Sequence, residues 1–313
     1  MVRTQVVQTL FAHYEKGEET NLRARKELDK SLASTYNLYL MMLDFVNELT
    51  RFAEDQLAER IARAKATHIS YPVNRHFVDN KLAQQLFENR SLRNLVEANK
   101  LSWDAGLSGV KSVMSHLEAS DFYKEYMALP HPTYEQDNAL WRKIMLELLV
   151  SDEEFLNALD ELEIHVDGQN WEANIDTILS FVIKTIKRFK EDSTPDQPLL
   201  PMFDNESELE FAHNLLQYAL EGHDEYQELI AAHLKQWDAE RVALMDKIIL
   251  QTAIAEILRF PEIAIEVSLN EYIELAKNYS GEKSFYFING ILDGIIREKY
   301  KEGNLPKAIT LKK

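Results

Sequence analysis

Leu269-Asn270-Glu271-Tyr272-Ile273-Glu274-Leu275-Ala276-Lys277 and, beyond a break at Ser280-Gly281, Ser284-Phe285-Tyr286-Phe287-Ile288-Asn289-Gly290-Ile291-Leu292-Asp293 decide how this chain folds. In the first run Leu269, Ile273, Ala276 and then Tyr279 recur at the three-to-four spacing of one helix face. Ser268 to Glu271 has the form of a capping box, in which the Ser takes a free backbone N–H and the Glu reaches back. A helix over 268–279 is expected. In the second run Phe285, Ile288, Leu292 and Ile295 form the expected inward stripe, and Gly290 is expected to let another helix come close. Asn289-Gly290 signals a hairpin in isolation, but the period around it is helical.

Upstream, residues 239–258 place Val242, Met245, Ile249, Thr252, Ala253 and Ile257 on one stripe, and Phe260-Pro261 ends that helix. Glu256 falls beside the stripe. It reads as a part-buried carboxylate bonded to a neighbouring helix N-terminus, in preference to a ligand or an acid catalyst. At the other end, Val6, Val7, Leu10, Phe11 and Tyr14 predict a helix over 4–15, closed by Lys16-Gly17. Further helices are expected at 22–66, 77–98, 108–128, 136–149, 152–163, 171–190, 206–220 and 223–236. Thr67 to His76 reads as a loop, and Leu129-Pro130-His131-Pro132 as a break. Residues 191–205, with Pro195, Pro198 and Pro201, read as the clearest linker.

Composition agrees with an all-α fold. Of 313 residues 45% are hydrophobic, with only 9 Gly and 8 Pro, too few for an all-β chain. The absence of cysteine excludes disulfides, thiolate metal sites and cysteine nucleophiles, and fits a reducing compartment. Met1 to Gln5 opens straight into an amphipathic pattern, without the apolar core of a signal peptide. No apolar run approaches the ~18 residues of a membrane span. A soluble, cytoplasmic protein is expected, with no membrane partner.

Net charge is -17, but residues 1–100 carry +2, residues 101–240 carry -20 and residues 241–313 carry +1. The acid sits in the middle. That leaves room for a small RNA-binding face at the ends and argues against a broad, non-specific nucleic-acid surface. Nothing points to catalysis. Glu210-x-x-His213 has the spacing of half a carboxylate di-iron site, without its second half. His68, His76, His116, His131 and His165 lack ligand spacing, and no GxGxxG, Walker A or GxSxG pattern occurs. No enzyme, catalytic residue, metal or cofactor is expected.

The two opening runs resemble the NusB signatures "INEAIELAK" and "KFVNGVLD". Leu250 to Leu258 is similar to a third block of that family, and Arg3 to Phe11 resembles its first helix. The blocks occur in order, and the resemblance covers about 206–300. It implies an all-α, NusB-like helical bundle with an additional helical domain, since family members of standard length are about half this size. Residues 1–46 and 206–302 would form the NusB-like core, 47–205 an extra helical region ending in the Pro-rich linker, and 303–313 a basic tail.

The resemblance also implies a function. NusB proteins bind the boxA element of nascent rRNA, together with the ribosomal protein also called NusE, in an RNA polymerase antitermination complex. Carried onto this chain, the RNA-binding residues are Arg3, His233, Lys283, Tyr286, Phe287 and Asn289, and the partner-facing acid is Asp246. Arg3 is the one match to the family's Arg-rich arm. His233 stands where the family has Tyr, and Tyr286 where it has Lys. Each has an ordinary alternative: Phe287 a core residue, Tyr286 and Lys283 plain surface, Asp246 a solvated acid. The family includes monomers and dimers, so a homodimer is among the expectations. The competing class is a protein-only scaffold of the same fold that has lost RNA binding. NusB-like domains also occur attached to RNA methyltransferases, but the absence of a Gly-rich cofactor loop argues against a methyltransferase here.

Overall fold

The structure is a computed structural model, and it describes residues 1–17, 20–165, 171–203, 206–234, 242–281 and 283–305. The first residues of the expected helix over 239–258, the end of the helix over 223–236, the end of the linker and most of the basic tail therefore lie outside the described residues. Among the described residues there are fourteen α-helices and no strand. No helix among them is long and apolar enough to cross a membrane. The chain divides into two units: Met1–Leu32 with Phe203–Lys313, and Ala33–Met202.

Unit 1 contains α1 (Val2–Lys16), the start of α2 (Asn21–Ala66), α10 (Glu206–Glu221), α11 (His223–His233), α12 (Leu244–Arg259), α13 (Ile265–Tyr279) and α14 (Ser284–Lys301). α12 is its axis, packed against α1, α10, α11, α13 and α14. Every residue from Ile248 to Ile257 is consequently buried, where the sequence predicts a single stripe. A helix covered on all sides is apolar all round. Its few polar side chains are satisfied by the helices that cover it or by its own backbone. Gln251 Nε2 donates to the Ala219 carbonyl at 2.7 Å and to Tyr14 Oη at 2.8 Å. Thr252 donates back to the Ile248 carbonyl at 2.7 Å.

Three expectations at this end are corrected. α13 starts at Ile265, so Ser268 is wholly buried inside the helix rather than capping it, and donates to Glu256 Oε1 at 2.7 Å. On α14 the buried residues are Phe287, Ile288, Ile291, Leu292, Ile295 and Ile296, and Phe285 is only half-buried. Gly290 is exposed with nothing near it. The close approach is at Gly294, where a Cβ would lie 2.8 Å from His233 Cδ2.

Unit 2 contains the rest of α2, then α3 (Lys81–Glu88), α4 (Arg90–Ala98), α5 (Leu107–Ala119), α6 (Asp121–Met127), α7 (Tyr134–Lys143), α8 (Glu153–His165) and α9 (Trp171–Arg188). The division falls inside α2, earlier than residue 46, because residues beyond Leu32 serve the core of unit 2. Phe45 packs its ring on Trp103 and Phe155, Met41 accepts from Trp103 Nε1 at 3.2 Å, and Tyr39 bonds Thr185 at 2.7 Å. The expected helices 77–98 and 108–128 are each broken once. Asn89 turns out of the helix, and its side chain accepts from Leu92 N at 2.9 Å. Ser120 does the same for Tyr123 N. These are N-caps, placed where a polar side chain competes with the helical backbone.

The Pro-rich stretch is also more than a linker. Asn89 Nδ2 donates to the Gln197 carbonyl at 2.9 Å and Arg90 N to the Pro195 carbonyl at 2.9 Å. Arg90 forms a two-pronged pair with Asp196 at 2.9 and 3.0 Å, and Leu199 is buried. Proline forbids a helix here, but its carbonyls still accept, so the segment lies on α3 and α4 as part of unit 2.

Candidate nucleic-acid interface

The turn between α13 and α14 is built around Asp246. This residue is only 6% exposed. Its Oδ1 accepts from the Ser280 hydroxyl and its Oδ2 from the Ser284 hydroxyl at 3.1 Å. The Ser280 and Ser284 hydroxyl oxygens lie 3.0 Å apart. One carboxylate of α12 therefore ties the last residue before the turn to the first residue of α14. Asp246 is neither a solvated acid nor a residue on the surface; its contacts are to the turn.

What the turn presents outward is an aromatic and cationic edge. Tyr286 is 71% exposed, the second most exposed large hydrophobic side chain among the described residues. Its ring lies 3.9 Å from that of Phe285, centroid to centroid, at an interplanar angle of 34°. Lys277 of α13 sits over the far neighbour in this series, with Nζ 5.6 Å from the Phe285 centroid. Lys283 is exposed at the mouth of α14 and forms no ion pair among the described residues. Asn289 and Gly290 are exposed one turn further on, on the side of Tyr286. Lys277 also pairs with Glu274, so of these two cations Lys283 is the one without an ion pair among the described residues. Flat rings beside such an ammonium group stack on unpaired bases while attracting phosphate. Lys277 and Phe285 are additions to the expected set. Phe285 escaped notice because it scanned as part of the inward stripe, and Lys277 because its neighbour across the turn is not local in sequence.

The other expected residues are placed elsewhere. Phe287 is buried at 7% exposure and belongs to the core. His233 ends α11, with Nδ1 on the Leu229 carbonyl at 2.9 Å and Nε2 3.3 Å from Glu298 of α14. Its ring rests on Gly294 and is mostly covered. Arg3 is engaged on α12. Its Nε and Nη2 donate to the two oxygens of Glu256 at 2.7 and 3.0 Å, and its guanidinium lies 5.1 Å from the centre of the Phe211 ring. Glu256, wholly buried, also accepts from Ser268 and from the Tyr272 hydroxyl at 2.9 Å. Burial works against the charge on Arg3, but the Glu256 hydrogen bond and charge outweigh it and hold the guanidinium above its ordinary value. Burial, then the Glu256 charge, pushes the Tyr272 hydroxyl far up. Glu256 is thus the centre of a satisfied polar cluster rather than a helix-terminus acceptor. Tyr286, Lys283 and Asn289 come together; Arg3, His233 and Phe287 do not join them.

Unit 1 defines a class: an all-α bundle built round one buried helix, with an exposed aromatic edge on its final helical hairpin. The chain belongs to the NusB family, a non-enzymatic family of transcription antitermination factors. The model of that family matches residues 172–297, from α9 to α14. The chain is 35% identical over 108 residues to the transcription antitermination protein NusB of Salinibacter ruber, covering 34% of this chain and 68% of that protein. To the protein of the same name from Finegoldia magna it is 38% identical over 95 residues, 30% of this chain and 69% of the relative. To that of Chloroherpeton thalassium it is 44% identical over 79 residues, 25% of this chain and only 37% of the relative. This chain is longer than these relatives, in keeping with its second helical unit. No solved structure matches it significantly.

Proposed function

We propose that this protein is a cytoplasmic antitermination factor that binds boxA-type rRNA leader RNA together with the ribosomal protein NusE, within an RNA polymerase antitermination complex. The observation that carries the reading is Tyr286. A tyrosine left 71% exposed beside Phe285, with the exposed Lys283 close before it at the head of α14, is a stacking platform next to positive charge. Asn289 adds an amide able to donate to and accept from a base edge. Asp246 contributes from behind, by holding the turn that carries Lys283 and Tyr286.

The test is a binding titration of labelled boxA-type RNA at two salt concentrations, with and without NusE from the same organism. Binding that weakens with salt and tightens with NusE supports the reading, because phosphate contacts release counterions. A stable complex with NusE and no RNA binding supports the protein-scaffold reading instead. The commitment of Arg3 to Glu256 favours that second reading, since it occupies the one arginine matched to the family's RNA-contacting arm.

A further inference from the structure

Gly290 lies inside α14, where glycine destabilises a helix relative to alanine. Two circumstances ordinarily call for a glycine: a left-handed backbone, or a neighbour too close to admit a Cβ. Neither holds at Gly290. Among the described glycines only Gly17 and Gly303 have a positive φ. A Cβ on Gly290 meets nothing within 4 Å. Gly294, one turn on, shows the contrast, since a Cβ there would lie 2.8 Å from His233 Cδ2. The bundle therefore gives no reason for glycine at 290, and the position is exposed.

The open space over Gly290 has defined sides. Tyr286, Asn289, Gly290, Asp293 and Arg297 are all exposed and follow one face of α14. Tyr286 stands one turn before Gly290, about 6 Å along the helix axis. Helical side chains lean toward the N-terminus, so the Tyr286 ring leans away from Gly290. One face of that ring is against Phe285, with centroids 3.9 Å apart. At 71% exposure the rest of the ring is open to water. On the other side Asp293 is drawn along the helix to Arg297, Oδ2 to Nε at 2.9 Å. Between them is a strip of bare backbone, with the Tyr286 ring at its N-terminal end and the exposed Asn289 amide beside it.

We propose that this strip seats one unstacked nucleobase, and that Gly290 determines whether the base can enter. The inference rests on the reading of the α14 edge as an RNA surface, and goes beyond it by stating where a single base lies. The base stacks on the open face of Tyr286, and its edge touches the backbone at Gly290. Its hydrogen-bonding groups meet the Asn289 amide, which both donates and accepts. Any Cβ at position 290 stands in that contact. A flat ring with a polar edge engages the tyrosine, the bare backbone and the amide together. An aliphatic side chain from a protein would leave the amide unmatched.

The test reads stability and affinity in the same variant of the full-length protein, with labelled boxA-type RNA as the probe. Gly290→Ala is expected to raise the melting temperature and yet to bind the RNA about tenfold more weakly, the size of one lost stack. Its salt dependence should match wild type, because no phosphate contact is removed. A set of RNAs, each lacking one base but keeping every phosphate, locates the seat. At one position, loss of the base is expected to cost wild type about tenfold and to cost Gly290→Ala and Tyr286→Ala little more. Wild-type affinity in Gly290→Ala, with Tyr286→Ala weakened, overturns the seat and leaves the RNA surface standing. A loss from Gly290→Ala that is the same on every base-deleted RNA also overturns it, and assigns position 290 to a contact other than a base. No RNA binding by the wild-type protein removes both the surface and the seat.

Discussion

Arg3 and Glu256 come from opposite ends of the chain and form a two-pronged ion pair, Nε to Oε2 at 2.7 Å and Nη2 to Oε1 at 3.0 Å, on a carboxylate that is wholly buried. The pair joins α1 to α12. Removing one member strands a buried charge, which costs about 3–5 kcal/mol. Arg3→Met is therefore expected to lower the urea midpoint of unit 1 sharply. Adding Glu256→Leu recovers part of the loss, not all, because the Ser268 and Tyr272 hydroxyls lose their acceptor too. If Arg3→Met unfolds at the wild-type midpoint, the pair does not hold the bundle.

Two glycines of α14, four residues apart, are expected to respond in opposite directions. Gly290 is exposed in mid-helix with open space around it. Gly290→Ala gains roughly 0.5–1 kcal/mol by restricting the unfolded chain. At Gly294 a Cβ meets His233 at 2.8 Å, so Gly294→Ala displaces the imidazole and costs roughly 1–3 kcal/mol. Thermal melts of both variants check this.

For RNA binding, Tyr286→Ala is expected to cost about 1–3 kcal/mol of affinity if the ring stacks on a base. Lys283→Glu is expected to weaken binding to all sequences and to reduce the salt slope by about one. Neither should disturb folding, since both side chains are exposed. Wild-type affinity in both variants would remove the α14 edge from the interface.

Asp246→Ala takes the acceptor from Ser280 and Ser284. Two buried or part-buried hydroxyls lose their charged partner, at roughly 1–3 kcal/mol. The expected signature is a lowered melting temperature with an RNA affinity reduced through a loosened turn. Faster amide hydrogen exchange confined to residues around 280–286 would show it.

Alkaline pH provides a test within unit 2. Burial pushes the Tyr39 hydroxyl from its ordinary 10.0 up to about 12, against the hydrogen bonds from Thr185 and Leu200. The folded state therefore holds its proton when the unfolded chain has released it. Stabilisation is full below about pH 10 and lost as pH rises through about 12, amounting to about 3 kcal/mol. Urea midpoints across that window should fall, and less steeply for Tyr39→Phe.

Much of this architecture was legible in the sequence because helix formation is local. The three-to-four spacing of Val6, Leu10 and Tyr14, and the stop at Lys16-Gly17, match α1 closely. The tight turn at Ser280-Gly281 is likewise where it was expected. Boundaries set by side-chain competition were harder. Asn89 and Ser120 each interrupt a periodic pattern that continues across them, and no spacing rule marks which Asn or Ser will turn out of the helix. Ser268 misled in the opposite direction, having the form of a cap while bonding to a buried acid twelve residues away.

The candidate interface was half legible. Tyr286 and Lys283 are outward by position on the helix, which periodicity supplies. Phe287 and His233 are not, since each is claimed by a neighbour that sequence spacing does not identify: the bundle core for one, Gly294 and Glu298 for the other.

By itself the sequence determined that the chain is helical throughout, where most helices lie, and which family its C-terminal blocks resemble. All of these follow from spacings within a few turns of one helix. The tertiary structure alone decided that Arg3 belongs to Glu256, 253 positions away, that Asp246 holds a turn instead of facing water, and that the Pro-rich stretch lies against α3 and α4. The physical reason is that periodicity reports only which face of a helix is apolar. The partner of a buried charge is set by which helices meet and at what distance, and a local pattern carries no record of that.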